Sequence, residues 1–360
     1  MGPATVLFAG GGTGGHLFPG IALAAELAAL RPGTPIVFGT GGRAIEDRAL
    51  AAAGCTAVRL GPPGWRGRFL RYPRMALGLT AALARSFRFI LGRRVKVVIG
   101  LGGYVSAATV TAAYILRRPV YLLEQNTIPG RTNRLCSRMA DGVFIQFAAA
   151  AAYFPAGRSL PFGNPVRTAI AALRELPAPE GCVILILGGS QGAAPLNDLF
   201  AAAAAGVALP PGGRVIHICG SGNLETCRAA YAAAGVKAEV EIRDFVDDMA
   251  GVYRRTTLAV CRAGATTIAE LTCVGIPMVL IPYPHATDDH QYHNGRALAD
   301  AGAAVCVRQE ALDGPRLAAL VNGLLADPAR LAAMRTASRA AGRPDAGPRI
   351  AAHIAARLAS

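Results

Sequence analysis

The sequence predicts an α/β protein of two similar domains, each a parallel sheet with helices on both faces. Three observations carry this expectation. Apolar, β-branched runs alternate with alanine-rich helical stretches along most of the 360 residues, the pattern of strands joined by crossover helices. The run Val6-Leu7-Phe8-Ala9 breaks into Gly10-Gly11-Gly12-Thr13-Gly14-Gly15-His16 just before a helix. The same layout restarts at Cys182-Val183-Ile184-Leu185-Ile186-Leu187, which runs into Gly188-Gly189-Ser190-Gln191-Gly192-Ala193 and another helix. Pro/Gly punctuation at Phe162-Gly163-Asn164-Pro165-Val166-Arg167 reads as the linker. The domains are expected at 1–164 and 165–360, with the last helices as candidates to pack back on the first domain.

In the first domain, strands are expected near 5–9, 35–38, 96–100, 119–123 and 142–146. Ligands of such sheets bind beyond the carboxyl ends of the strands. The loops leaving those ends are 10–16, Gly102-Gly103-Tyr104-Val105-Ser106 and Glu124-Gln125-Asn126. Glycines let backbone N–H groups approach a ligand, and the helix N-terminus behind them favours negative charge. The first loop therefore reads as an anion pocket with the His16 imidazole at its lip. A plain turn needs fewer glycines and no histidine. Gly10, Gly12 and Gly15 fit the dinucleotide fingerprint, but the second strand runs into Gly39-Thr40-Gly41-Gly42-Arg43, with no acid to hold a ribose. No Gly-Lys-Ser/Thr follows the glycines either, which excludes a Walker A loop.

The second domain is expected to place strands at 182–187, 214–219, 240–242, 258–261, 278–281 and 304–307. After the fourth of these comes Arg262-Ala263-Gly264-Ala265-Thr266-Thr267-Ile268-Ala269-Glu270. Gly264, Thr266 and Thr267 at a helix start offer N–H and hydroxyl donors to phosphate. Glu270, one turn further, can accept from vicinal hydroxyls, or serve only as a first-turn acid favoured by the helix dipole. Asp247-Asp248 reads as another helix N-terminus. The loop Pro282-Tyr283-Pro284-His285-Ala286-Thr287-Asp288-Asp289-His290-Gln291-Tyr292-His293-Asn294 matches no standard metal spacing. It reads as hydrogen-bonding groups for sugar hydroxyls, and neither a metal nor a cofactor is expected.

The formal net charge is +15, which points to an anionic partner. Between Asp47 and Glu124 there is no acidic residue, while arginines such as Arg66, Arg68, Arg71 and Arg74 interleave with Trp65, Phe69 and Leu70. Met75, Leu79, Leu83 and Phe87 step by four, one face of a helix. That face is either core or an interfacial surface on acidic headgroups. The Trp65 loop favours the membrane surface. No nucleic-acid motif is present. The eight cysteines form no CxxC pair and read as buried reduced thiols of a cytoplasmic protein. The apolar run at the N-terminus stops at glycine, so no signal peptide is expected. Residues 97–116 carry no charge, but Gly100, Gly102 and Gly103 interrupt them, giving a strand, loop and helix rather than a membrane span.

Taken in order, Gly11 to His16, Gly102 to Ser106, Glu124-Gln125-Asn126, Gly163 to Arg167, Gly188 to Gly192, Asp247-Asp248-Met249, Arg262 to Glu270 and Gln291-Tyr292 resemble the motifs of the MurG family. The resemblance covers about 280 residues. It implies the GT-B glycosyltransferase fold, two Rossmann-like domains facing a cleft. It implies inverting transfer of N-acetylglucosamine from UDP-N-acetylglucosamine to the C4 hydroxyl of the muramyl sugar of lipid I, giving lipid II for peptidoglycan. By motif, Val246 would meet the uracil and Glu270 the ribose. Ser190, Ala265 and Thr266 would line the diphosphate. Gln291 and Asn126 would hold the sugar, and Thr13, Gly14, Gly15 and Arg167 would complete the donor site. Gly103, Tyr104 and Ser106 would take the acceptor. His16 is the candidate base, and Glu124 the runner-up. The family commonly has two glutamines where this chain has His290-Gln291, and Gly-Pro where it has Ala107-Ala108. The expected location is peripheral, on the cytoplasmic face of the membrane, with acidic phospholipid as a partner and cell-wall synthesis and division proteins as candidate partners. The rival readings are a lipid glycosyltransferase with another acceptor, such as diacylglycerol, a UDP-sugar epimerase, and a catalytically silent binding subunit.

Overall fold

The computed structural model describes residues 4–11, 14–61, 72–189 and 192–359. Two compact units emerge, residues 1–166 with 345–360, and residues 167–344. In chain order the first unit contains β1 (Thr5–Gly10), α1 (Gly14–Leu30), β2 (Ile36–Thr40), α2 (Ala44–Ala52), β3 (Thr56–Arg59), α3 (Tyr72–Gly92), β4 (Val95–Gly102), α4 (Gly103–Ile115), β5 (Val120–Glu124), α5 (Arg131–Cys136), β6 (Gly142–Ile145) and β7 (Ser159–Leu160). The second contains α6 (Thr168–Ala171), β8 (Val183–Leu187), α7 (Ala194–Ala204), β9 (Arg214–Ile218), α8 (Leu224–Ala233), β10 (Glu239–Arg243), α9 (Met249–Arg255), β11 (Leu258–Cys261), α10 (Ala265–Val274), β12 (Met278–Leu280), α11 (His290–Asp300), β13 (Ala304–Cys306), α12 (Gly314–Leu325) and α13 (Pro328–Ala341). The last helix, α14 (Ala346–Ala359), returns to the first unit.

Among the described residues the strand orders are β3-β2-β1-β4-β5-β6-β7 and β10-β9-β8-β11-β12-β13, parallel throughout. Each order reverses direction beside its first strand, between β1 and β4 and between β8 and β11. Such a switch point opens a crevice at the carboxyl ends, because the flanking loops leave toward opposite faces. The central strands are apolar on both sides because helices cover both faces. Val6, Phe8, Ile99, Leu123 and Phe144 face one layer, with Ile350 and Ile354 of α14. Leu7, Ala9, Val98, Leu122 and Ile145 face the other, with Val110 of α4. Ile350 and Ile354 are fully buried, and burying a side chain of that size contributes roughly 1.5–3 kcal/mol. Arg357 Nε donates to the Tyr121 hydroxyl at 3.0 Å, and Arg349 sits over the Phe162 ring at 4.4 Å. These contacts explain why 345–360 belongs with the first unit, where the sequence reading divides the chain once, after residue 164.

Two strands went unread in the sequence. Both β3 and the two-residue β7 are sheet edges, where one neighbour suffices and the apolar pattern is weak. The face of α3 divides along its length. Leu83 and Phe87 pack against the core beside buried Ala82, Ser86 and Ile90, and Ser86 Oγ bonds Thr109 Oγ1 of α4 at 3.0 Å. That half of the face is core. Leu79 is 44 % exposed. Trp65, Phe69, Leu70 and the Met75 side chain lie outside the described residues. No single helix among those described is long and apolar enough to cross a membrane.

Candidate functional site

Each unit carries its chemistry at its switch point. In the first, β1 ends on Gly10 at φ +125°. A Cβ there would collide with the Gly102 carbonyl oxygen at the end of β4, so only glycine allows the two strand ends this close. Helix α1 then opens at Gly14, which is buried, and Gly15, which is exposed. Its first turn holds no acid of its own, and the Glu46 carboxylate of α2 stands beside the glycine turn, 2.7 Å from where a Cβ on Gly11 would lie. Thr13 lies outside the described residues. The half-buried His16 ring lies over Gly102: a Cβ on that glycine would stand 3.5 Å from Nε2. The imidazole therefore sits between the two loops of the switch point.

Gly103 opens α4 at φ +81°, and Tyr104 is 62 % exposed on its first turn. Ser106, expected on the acceptor loop, is placed inside the packing. It is fully buried, and a Cβ on Gly100 would lie 2.8 Å from its Oγ. Because α4 begins at Gly103, position 106 falls on the side that packs on β4, and its Oγ has no hydrogen-bond partner among the described residues.

Glu124, the runner-up base of the sequence reading, is enclosed as well. It is 3 % exposed and its carboxylate receives four donors. Asn126 gives its backbone N–H and Nδ2 to Oε1 at 2.9 and 3.2 Å. Gly130 N–H and Asn133 Nδ2 donate to Oε2 at 3.1 and 3.0 Å. Burial pushes this carboxyl above its usual value while the four donors oppose the shift. These bonds tie the carboxylate to the 126–130 turn and to the Asn126 side chain, and Asn133, which the sequence reading missed, anchors it from α5.

In the second unit β8 ends in Gly188 and Gly189, and the turn closes on Gly192 at φ +71°. A Cβ there would sit 2.6 Å from the Cys219 carbonyl oxygen. That carbonyl accepts from Asn197 Nδ2 at 2.9 Å and Asn223 Nδ2 at 3.2 Å. Asn197 is in turn held by His217 Nε2 at 3.0 Å, and the other ring nitrogen meets the Tyr231 hydroxyl at 2.8 Å. Burial lowers the His217 pKa to about 4, so this imidazole is a neutral brace for the loop. Ser190 lies outside the described residues. Val246 is half-buried just past β10, and Asp248 caps α9 by accepting from Gly251 N–H at 2.9 Å.

Beyond β11, Gly264 precedes α10, with Ala265 and half-buried Thr266 in its first turn. Glu270 is 8 % exposed. Arg167 Nη2 donates to its Oε1 at 3.1 Å, and the Tyr253 hydroxyl donates to Oε2 at 2.8 Å. Burial raises this carboxyl too, against the pull of Arg167 and Tyr253. The sequence reading had Arg167 complete the donor site and did not foresee its pairing with Glu270, 103 positions away. Arg262 is buried on carbonyls of Ile281 and Pro282 and on Gln309 Oε1, so it braces the next loop rather than meeting a ligand. Gln291 Oε1 accepts from Tyr283 N–H at 3.0 Å, which fixes the amide with its NH2 as the remaining donor. His290 turns away, its Nδ1 bonding Thr287 O at 2.7 Å. Among the described residues no three His, Cys, Asp or Glu side chains group as metal ligands.

Residues 6–145 match the glycosyltransferase family 28 N-terminal domain and 183–350 the glycosyltransferase family 28 C-terminal domain. The UDP-N-acetylglucosamine--N-acetylmuramyl-(pentapeptide) pyrophosphoryl-undecaprenol N-acetylglucosamine transferase of Myxococcus xanthus is 41 % identical over 350 residues, covering 96 % of this chain and 91 % of that one. The chain belongs to the MurG family. A protein of the same description from Thiobacillus denitrificans is 42 % identical over 362 residues, 96 % of each chain. The crystal structure of Acinetobacter baumannii MurG superposes with a TM-score of 0.79 at 30 % identity, covering 98 % of this chain and 99 % of that one. With the two Rossmann-like units, this is the GT-B fold. A UDP-N-acetylglucosamine 2-epimerase structure has a TM-score of 0.70 at 18 % identity, over 98 % of this chain and 96 % of that one, and bears on the fold alone.

The enclosure of Glu124 makes a stability prediction. Glu124→Gln turns one acceptor oxygen into a donor facing donors, so unfolding in urea is expected to show a loss of about 1–3 kcal/mol. Amide exchange at 126–130 should also quicken. Unchanged stability and exchange would contradict the bracing role.

Proposed function

We propose that this chain is an inverting hexosyltransferase that moves N-acetylglucosamine from UDP-N-acetylglucosamine to the C4 hydroxyl of lipid I, yielding lipid II. The observation that carries this is identity of about 41 % with transferases of that description along nearly the whole chain. Those descriptions give a polyprenyl pyrophosphoryl muramyl acceptor, not diacylglycerol. The geometry supports a division of labour. The second unit takes the nucleotide: the backbone beside Val246 meets the base, Glu270 accepts from the ribose, and the α10 N-terminus at Ala265 and Thr266, with Ser190, meets the diphosphate. Arg167 keeps guanidinium N–H groups for a phosphate, since one nitrogen is engaged by Glu270 and its side chain is 42 % exposed. The amide NH2 of Gln291 and the Asn126 side chain hold the sugar. The first unit offers Thr13, Gly14, Gly15, Gly103 and exposed Tyr104 to the donor sugar and the acceptor.

The acceptor oxygen attacks the anomeric carbon from the face opposite UDP. The new C–O bond forms as the bond to the β-phosphate oxygen breaks, and UDP leaves with the electron pair. The configuration inverts from α to β. The hydroxyl proton goes to His16, whose imidazole lies between the two loops of the first switch point. Helix N-termini and Arg167 stabilise the departing charge.

The enzyme works from the inner surface of the membrane as a peripheral protein. The arginine-rich sequence around Trp65, Phe69 and Leu70 supports this, as does the exposure of Leu79 and Tyr104. Cell-wall synthesis and division proteins are its natural partners there.

Two outcomes are expected. With radiolabelled UDP-N-acetylglucosamine and lipid I, the protein should form a disaccharide lipid, and His16→Ala should cut turnover about 100-fold or more. Turnover within a few-fold of wild type would remove His16 as the base. Replacing Trp65, Phe69 and Leu70 together with serine should weaken sedimentation with acidic phospholipid vesicles, and undiminished binding would sink the docking reading.

A further inference from the structure

Tyr253 is bonded to Glu270 on the nucleotide side of the site, and no motif announced it. It is 1 % exposed on α9. Its hydroxyl donates to Glu270 Oε2 at 2.8 Å and bonds nothing else among the described residues. A phenylalanine would fill the same space, and a buried hydroxyl costs free energy unless it is bonded. The oxygen is thus useful only for what it does to the carboxylate. Glu270 has two oxygens and about four lone-pair positions. Arg167 takes one on Oε1 and Tyr253 one on Oε2. Each oxygen keeps an acceptor position, and 11 % of the side chain stays exposed. A vicinal diol brings two donors and needs two acceptors at a fixed spacing. Held at one oxygen only, the carboxylate could rotate and the pair of acceptors would be lost.

We infer that Tyr253 is a positioning residue that makes the second unit selective for ribonucleotide over 2′-deoxyribonucleotide donors, by holding Glu270 for the two ribose hydroxyls. This rests on reading Glu270 as the ribose acceptor. Charge-assisted bonds of this kind are among the stronger side-chain bonds. A buried acceptor that loses its substrate hydroxyl discriminates against the analogue lacking it. Burial already raises the Glu270 carboxyl, so loss of the phenol donor also shifts it toward the neutral form, a poorer acceptor for the diol.

The test compares kcat/KM for UDP-N-acetylglucosamine and its 2′-deoxyribose analogue, both with lipid I, in wild type, Tyr253→Phe, Glu270→Gln and the double variant. Tyr253→Phe keeps the ring and its packing. Wild type should prefer the ribose donor by about tenfold or more. Glu270→Gln should abolish most of that preference, Tyr253→Phe should reduce it severalfold, and the double variant should prefer ribose no less than Glu270→Gln alone. A residue that only stabilises the fold lowers both donors equally and leaves the ratio unchanged. If Glu270→Gln collapses the ratio and Tyr253→Phe leaves it at the wild-type value, the inference is wrong. If Glu270→Gln leaves the ratio untouched, the ribose reading beneath it is wrong.

Discussion

Gly10 stands against the Gly102 carbonyl with no space for a side chain, and the geometry of the first unit follows from that contact. It lets β1 and β4 end side by side. It starts α1 and α4 at the same rim and sets the His16 ring over Gly102. The second unit meets the same requirement with other residues, Gly192 against the Cys219 carbonyl, braced by Asn197 and the neutral His217. In both units the close approach of backbone brings a helix N-terminus to the rim, where the dipole favours negative charge. A nucleoside diphosphate sugar and a pyrophosphoryl lipid both carry such charge.

The two buried carboxylates at these rims show how one group is put to different uses. Glu124 receives four donors, three of them from the turn it shapes, and is closed to anything else. Glu270 receives two, from Arg167 and Tyr253, and keeps an exposed edge. Both carboxyls are raised by burial, so that shift alone does not tell a structural acid from a binding one. The donors already in place differ: they tie Glu124 to Asn126, Gly130 and Asn133 and leave Glu270 an exposed edge.

Much of the fold was legible because parallel strands buried on both faces announce themselves as apolar runs, and glycine turns mark where they end. Every central strand was found this way. Edge strands β3 and β7 carry too little burial to leave that mark. The return of α14 was foreseen only as a candidate, since an amphipathic helix does not say which sheet it covers. Within the site, the helix starts that carry His16 and Glu270 were readable from turn and helix chemistry. The burial of Ser106 was not, because the reading assumed a loop where α4 already begins, and the helix turns that side chain inward. The Arg167–Glu270–Tyr253 group had no local signal: its members come from three separate helix regions and meet only through the fold.

The central claim is that the nucleotide belongs to the second unit, at its β8–β11 switch point. Hydrogen–deuterium exchange with and without saturating UDP tests it most directly. Slowed exchange is predicted in 188–193 and 262–270, with 10–16 and 102–106 little changed. Protection confined to 10–16 and 102–106 would contradict it.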